Sequence, residues 1–137
     1  MRLAHGDNHL ISARDGLAIC EVWSRPDLSA EDGARNAKQM VEVLTQSVLH
    51  DRSPYRGIIF DVRRGPAVFG PKTRETLSGL FGLAGTCGVP LGVLVSDSPI
   101  QLLQFRNLCR DSLGPADVFL DEASALAWFD AENGAGT

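Results

Sequence analysis

The sequence predicts a single α/β domain with a mixed, mostly parallel sheet that opens with an antiparallel hairpin. Two short apolar segments, 9–13 and 17–23, flank Asp15-Gly16, a pair that tolerates the positive φ angles of a tight turn. The segments 57–62 and 91–95 are almost wholly apolar, as in strands covered on both faces. Helix-like segments alternate with the later strands, which predicts the order ββαβαβαβα with right-handed, parallel crossovers.

The first helix is predicted to begin after Ser29, an N-cap with Asp32 three residues on. It is predicted to end near His50, because Pro54 disfavours its continuation. Its apolar residues recur at spacings of three and four, as on one face of a helix. They are Ala30, Ala34, Ala37, Val41, Leu44 and Val48.

The second helix is predicted to open at Pro71, where the missing N–H of proline has no cost, and to end around 85–88. The third begins at Ser98-Pro99, and its core face is predicted to consist of Leu102, Phe105, Cys109 and Leu113. A short strand at 118–120 and a helix at 122–131, capped by Asp121, complete the domain. The domain is predicted to span 9–131, after an N-terminal extension at 1–8 and before a flexible tail at 132–137.

The amino-acid composition and net charge indicate which classes of protein this chain can belong to. The chain has 137 residues, of which 44% are hydrophobic and 22% charged, typical of one globular domain. The net charge of -4 argues against nucleic-acid binding, which depends on neutralising phosphates. No signal peptide or membrane-spanning run is visible, so we expect a cytoplasmic location. Cys20, Cys87 and Cys109 lack metal-site spacing, which predicts free thiols, no metal and no cofactor.

Three segments carry a family likeness: 57–61 before a loop and helix, 91–97, and 118–128. With the opening hairpin they extend over residues 9–130. In this combination the chain resembles the STAS/SEC14-type domain, specifically its SpoIIAA-like branch, the fold of bacterial anti-sigma-factor antagonists. The resemblance implies a non-enzymatic regulatory or protein-binding module. The SEC14-like relatives imply lipid binding as the alternative.

The resemblance also bears on phosphorylation. In the antagonists that this chain resembles, the matching strand ends in an aspartate followed at once by a phosphorylatable serine. Asp61 matches the aspartate, but Val62, Arg63 and Arg64 follow it. The chain therefore lacks the usual phosphoserine. Thr73, in the first turn of the second predicted helix, is the remaining hydroxyl candidate, although the long loop displaces it.

Two enzyme-like patterns are incomplete. Residues 65–73 nearly spell a phosphate-binding P-loop, but Pro71 shifts Lys72 by one position and removes an N–H that such a loop requires. Asp61 and Ser96 at strand ends are typical of a receiver domain, but the acidic pair and the lysine of that fold are missing. No nucleophile elbow is present, so the sequence predicts no catalytic residue.

Polar residues are predicted at the carboxyl edge of the sheet, where α/β proteins bind ligands. One group precedes the third helix and has two interpretations. It caps that helix, or it binds a polar ligand at the helix N-terminus. The candidate ligand-binding residues are Ser96, Asp97 and Ser98.

The second predicted helix contains Gly79, Gly82, Gly85 and Gly88, every third residue. An interior helical glycine costs about 1 kcal/mol relative to alanine, so something should offset these glycines. Two explanations stay open. The helix packs closely on the sheet, or its thin face admits a partner helix, a second subunit or a lipid chain.

The leading hypothesis is a regulatory or protein-interaction module that acts through the loop and helix after the third predicted strand. A second copy of the chain is one candidate partner. The alternative is a carrier that holds a small apolar ligand between the sheet and the second helix. The candidate partner-binding residues are Asp61, Arg63, Arg64, Phe69, Thr73, Phe81 and Gly82.

Overall fold

Six strands form one mixed sheet in sequence order, β1-β2-β3-β4-β5-β6. The structure is a computed structural model, and it describes residues 2–50 and 54–134. The first two neighbouring pairs of strands are antiparallel and the other three are parallel. The strands are β1 (Arg2–His5), β2 (His9–Arg14), β3 (Leu17–Trp23), β4 (Gly57–Arg64), β5 (Leu91–Leu94) and β6 (Ala116–Phe119).

Three helices connect the parallel strands: α1 (Ala30–Ser47), α2 (Pro71–Cys87) and α3 (Pro99–Asp111). Right-handed crossovers that always move to the next position in a sheet place their helices on the same face. Accordingly α1 packs on α2, and α2 packs on α3. The helix after β6, α4 (Glu122–Gly134), packs on β5 and β6 over a separate core cluster.

The strands are covered on both faces, as their sequence predicts. Along β4, Ile58 and Phe60 belong to the core under α1, α2 and α3, whereas Ile59 packs with Phe129 of α4. This alternation is the period of two that any strand imposes. A Cβ atom at Gly92 in β5 would lie 3.0 Å from the Phe129 ring. The absence of a side chain at Gly92 therefore leaves room for that ring.

The predicted local signals are confirmed. The hairpin turn has positive φ angles at Asp15 (55°) and Gly16 (78°). Ser29 and Asp32 form a complete capping box, in which Asp32 N–H donates to Ser29 Oγ at 3.1 Å and Ser29 N–H donates to Asp32 Oδ2 at 3.2 Å. Pro71 opens α2.

Two predicted boundaries are wrong. Part of the N-terminal extension (1–8) is β1, which pairs with β2 and belongs to the sheet; four residues were too few to show alternation. The tail (132–137) begins within α4, which continues to Gly134, and its last three residues lie outside the described part of the chain.

The prediction that Leu113 lies on the core face of the third helix is wrong. The helix ends at Asp111, and the Leu113 side chain is 88% exposed. A Cβ atom at Gly85 of α2 would lie 2.7 Å from the backbone nitrogen of Gly114 and 2.9 Å from that of Leu113. The backbone, rather than the leucine side chain, therefore makes the contact with α2.

Candidate functional site

A cavity of about 850 Å³ opens at the carboxyl ends of β3 and β4, between the N-terminal halves of α1 and α2. Its size lies within the range of small-molecule sites, and its lining is mostly apolar, as in such sites. The apolar side chains that line it include Val22, Trp23, Met40, Phe60, Val62, Phe69, Leu77 and Phe105.

The cavity exists because α1 presents small residues to it. Ala30, Gly33, Ala34 and Ala37 line the α1 side, and a Cβ atom at Gly33 would meet no atom within 4 Å. Alanine and glycine are too short to cross the gap towards α2. One turn further along the helix, Met40 is buried and begins to fill the space.

An aromatic cluster forms the wall opposite α1. The ring centroids of Phe69 and Phe105 are 5.5 Å apart, and those of Phe60 and Phe105 are 6.0 Å apart. All three rings line the cavity. Phe81 contacts Phe60 edge-on at 6.4 Å, behind that wall. Such rings offer a rigid apolar surface at little cost in side-chain entropy.

Gln101, which is 1% exposed, holds the loop after β4 in place. Its Nε2 donates to the carbonyl oxygen of Val62 in β4 at 2.7 Å and to that of Pro66 in the loop at 3.4 Å, and its Oε1 accepts from the N–H of Ser96 at 2.7 Å. The loop that carries Pro66 and Phe69 into the cavity wall is thereby tied to the start of α3. A buried amide that satisfies two backbone groups is a specific and stabilising contact.

Two of the three predicted ligand-binding residues, Ser96 and Ser98, take part in this same anchor. Ser96 Oγ donates to Gln101 Oε1 at 2.9 Å, and Ser98 Oγ accepts from the Gln101 N–H at 3.3 Å as the N-cap of α3. Asp97 is exposed. None of the three residues lines the cavity. Ser98 therefore caps α3, as the first interpretation predicted. Ser96 instead helps Gln101 to hold the loop after β4.

The charged residues after β4 lie elsewhere. Asp61 alternates with Phe60 and Val62 and so points to the sheet face opposite the cavity. Although burial opposes it, the hydrogen bonds from Arg63 and its charge lower the pKa of Asp61; the shorter of the side-chain contacts is 2.7 Å. Arg64 lies over the Trp23 ring, 5.7 Å from its centroid, and does not itself line the cavity.

The four remaining candidates lie on the loop before α2 and on the helix itself. Phe69 and Thr73 line the cavity. Phe81 is 1% exposed and packs in the core, so its prediction as a partner contact is wrong; an apolar residue on a helix next to glycines does not reveal which way it faces. Gly82 is half-buried, and a Cβ atom there would meet nothing within 4 Å.

Sequence reasoning missed the residues that shape the cavity. Gly33, Trp23 and His9 line it, and Gln101 anchors its wall. The available signal was the run of small residues in the first half of the first helix, interpreted there as part of a core stripe. The other missed contacts join segments far apart in the sequence.

Within residues 2–50 and 54–134, no helix is long and apolar enough to cross a membrane. The same residues contain no group of three or more His, Cys, Asp or Glu side chains placed to hold a metal ion.

No protein-family model matches the sequence, and no curated protein matches it. Among solved structures, the chain is similar to the NMR structure of the protein TM1081, with 14% sequence identity and a TM-score of 0.61. The match covers 93% of this chain and 94% of that one. At this identity the similarity establishes the α/β fold with its mixed sheet.

Proposed function

We propose that this protein binds a small apolar molecule in the cavity between α1 and α2 and does not transform it chemically. The observation that supports the proposal is the cavity itself, about 850 Å³ in volume and walled by Phe60, Phe69 and Phe105. Protein interiors are otherwise close-packed, with few voids larger than a water molecule. A site of this size and apolarity gains contacts when an apolar molecule fills it.

The proposal can be tested with an uncharged apolar dye, N-phenylnaphthylamine, whose fluorescence rises in apolar surroundings. The decisive variant is Gly33→Leu. No atom lies within 4 Å of the added Cβ position, so the leucine enters the cavity without a clash at Cβ. If it displaces about 60 Å² of buried dye surface, affinity falls by about 1.4 kcal/mol, or about tenfold.

Gly82→Leu is the matched control, because Gly82 is also an open helical glycine but lies outside the cavity. The expected result is saturable dye binding by wild type and Gly82→Leu, with about tenfold weaker binding by Gly33→Leu. Unchanged binding by folded Gly33→Leu, or no saturable binding by wild type, would overturn the proposal. Circular dichroism of each variant reports whether it is folded.

A second candidate function is a protein-interaction module that uses the outer face of α2. Gly79 and Gly82 have nothing within 4 Å of their Cβ positions, so contacts within the described chain do not account for these two glycines. Their cost of about 1 kcal/mol each favours an external reason. The resemblance to SpoIIAA-like regulatory domains is compatible with this fold and motivates the same function.

The same pair of variants separates the two functions. A regulatory partner that binds α2 should be retained from lysate by wild type and Gly33→Leu, and lost by Gly82→Leu. Equal retention by all three proteins would exclude the α2 face as the binding surface.

A further inference from the structure

Among the buried polar residues that the structure describes in the cavity wall, His9 has incomplete hydrogen bonding. It begins β2, lines the cavity and is 3% exposed. Its Nδ1 is buried, without a hydrogen-bond partner. A Cβ atom at Gly6 would lie 2.8 Å from that nitrogen. Cε1 lies closer still to that position, so the Cε1–Nδ1 edge of the ring faces the β1–β2 turn. Nε2 is the ring nitrogen left for the cavity, because it is not among the fully buried, unpartnered side-chain atoms of the described residues.

Asn36, the other buried polar residue of this wall, has its partners within the chain. Its Oδ1 accepts from the Asp7 N–H at 3.1 Å, and its Nδ2 donates to the Asp32 carbonyl at 3.0 Å. A buried polar side chain normally has such partners. His9 is thus the residue with unused hydrogen-bonding capacity in the buried part of the wall.

The charge state of His9 limits what it can bind. Burial lowers the pKa of His9 below its ordinary value, and the repulsion from His5 adds to this effect, while the nearby carboxylate of Asp7 opposes it. A neutral imidazole carries one N–H donor and one acceptor nitrogen. If Nδ1 carried the proton, its N–H would point towards Gly6 and have no acceptor. A buried donor without an acceptor is rarer than a buried acceptor without a donor. The proton accordingly belongs on Nε2.

We propose, on the premise that the cavity binds an apolar molecule, that its ligand carries an uncharged oxygen acceptor that receives the Nε2–H of His9. A ketone or ester carbonyl has this chemistry. A carboxylate does not fit, because a buried anion needs a charged partner and His9 is neutral. The cations that line the cavity are both exposed: Lys72, at the start of α2, and Arg25, which is paired with Asp27. Neither therefore provides a charged partner in the buried part of the wall beside His9.

Three probes of similar shape test this inference by displacing the naphthylamine dye: acetophenone, α-methylstyrene and benzoate. The styrene replaces the carbonyl oxygen by a methylene group, and benzoate replaces the acetyl group by an anion. The variants are His9→Phe, which keeps a ring of similar size but has no donor, and His9→Gln, which keeps an N–H donor.

The expected result is that His9→Phe weakens acetophenone by about fivefold to tenfold and changes α-methylstyrene by less than about twofold. His9→Gln should restore part of the acetophenone affinity. Equal losses for both probes, or tighter binding of benzoate than of acetophenone by wild type, would overturn the inference but leave the cavity as an apolar site. If wild type binds neither the dye nor any probe, the proposed function itself fails.

Discussion

The glycines of α2 allow a sharp test of the packing described above. Gly82 and Gly85 lie three residues apart in the same helix but in opposite surroundings. A Cβ atom at Gly82 meets nothing within 4 Å, whereas one at Gly85 would lie 2.7 Å from the backbone nitrogen of Gly114. We therefore compare Gly82→Ala with Gly85→Ala.

The free energies of unfolding should move in different directions. Alanine in an open helical position gains about 1 kcal/mol over glycine, so Gly82→Ala should be stabilised by about that amount. Gly85→Ala receives the same helical gain but must push backbone apart, and overpacking costs about 1–3 kcal/mol. The difference between the two variants is then about 1–3 kcal/mol in favour of Gly82→Ala.

Urea unfolding followed by far-UV circular dichroism measures this difference, provided that the slope m is the same in both variants. For a chain of this size, the difference corresponds to a gap of roughly 3–9 °C in Tm. Gly79→Ala, another open position, should behave like Gly82→Ala and serves as the internal control. If Gly85→Ala is stabilised as much as Gly82→Ala, the close approach of α2 to residues 113–114 is not present in solution.

Two further predictions concern the cavity wall. Gln101→Leu should lower the free energy of unfolding by about 3 kcal/mol, because the Val62 carbonyl and the Ser96 N–H lose their buried partner. The control Gln39→Leu, at an exposed position, should change it by less than about 0.5 kcal/mol. If urea titrations show similar losses of stability in the two variants, Gln101 does not anchor the loop. His9 has a lowered pKa in the folded state, so its contribution to stability is present above about pH 6.5 and declines as the pH falls below that value. Between about pH 7.5 and about pH 5, wild type should lose more stability than His9→Gln, whereas parallel losses would show that His9 titrates as it does in the unfolded chain.

Much of the fold could be predicted because its signals are local. The capping box at Ser29, the Asp15-Gly16 turn and the proline that opens α2 act within a few residues of themselves. The alternation of apolar residues likewise reflects the geometry of a strand or helix. The strand β1 was not predicted, because four residues are too few to show an alternation of apolar and polar residues.

The candidate site was predicted less well, since it depends on contacts between distant segments. Asp61 and Phe60 are adjacent in sequence, yet the strand places them on opposite faces of the sheet, which separates the predicted cluster. Phe81 and Gly82 are adjacent too, and helical geometry buries the first while the space beside the second stays open. Phe69, in the loop before α2, and Thr73, in its first turn, both line the cavity, and their role in partner binding stays a prediction.

The sequence by itself determined the element order from β2 onward, the hairpin, the helix caps and the double covering of the central strands. Each of these follows from short-range backbone preferences and the hydrophobic period. Only the tertiary structure decided which glycines are open and which are packed, that Gln101 reaches the carbonyl of a residue 39 positions away, and that small residues of α1 face a cavity. These features depend on distances between segments joined by long stretches of chain. Such distances are fixed by the packing of the whole core, and no local pattern encodes them.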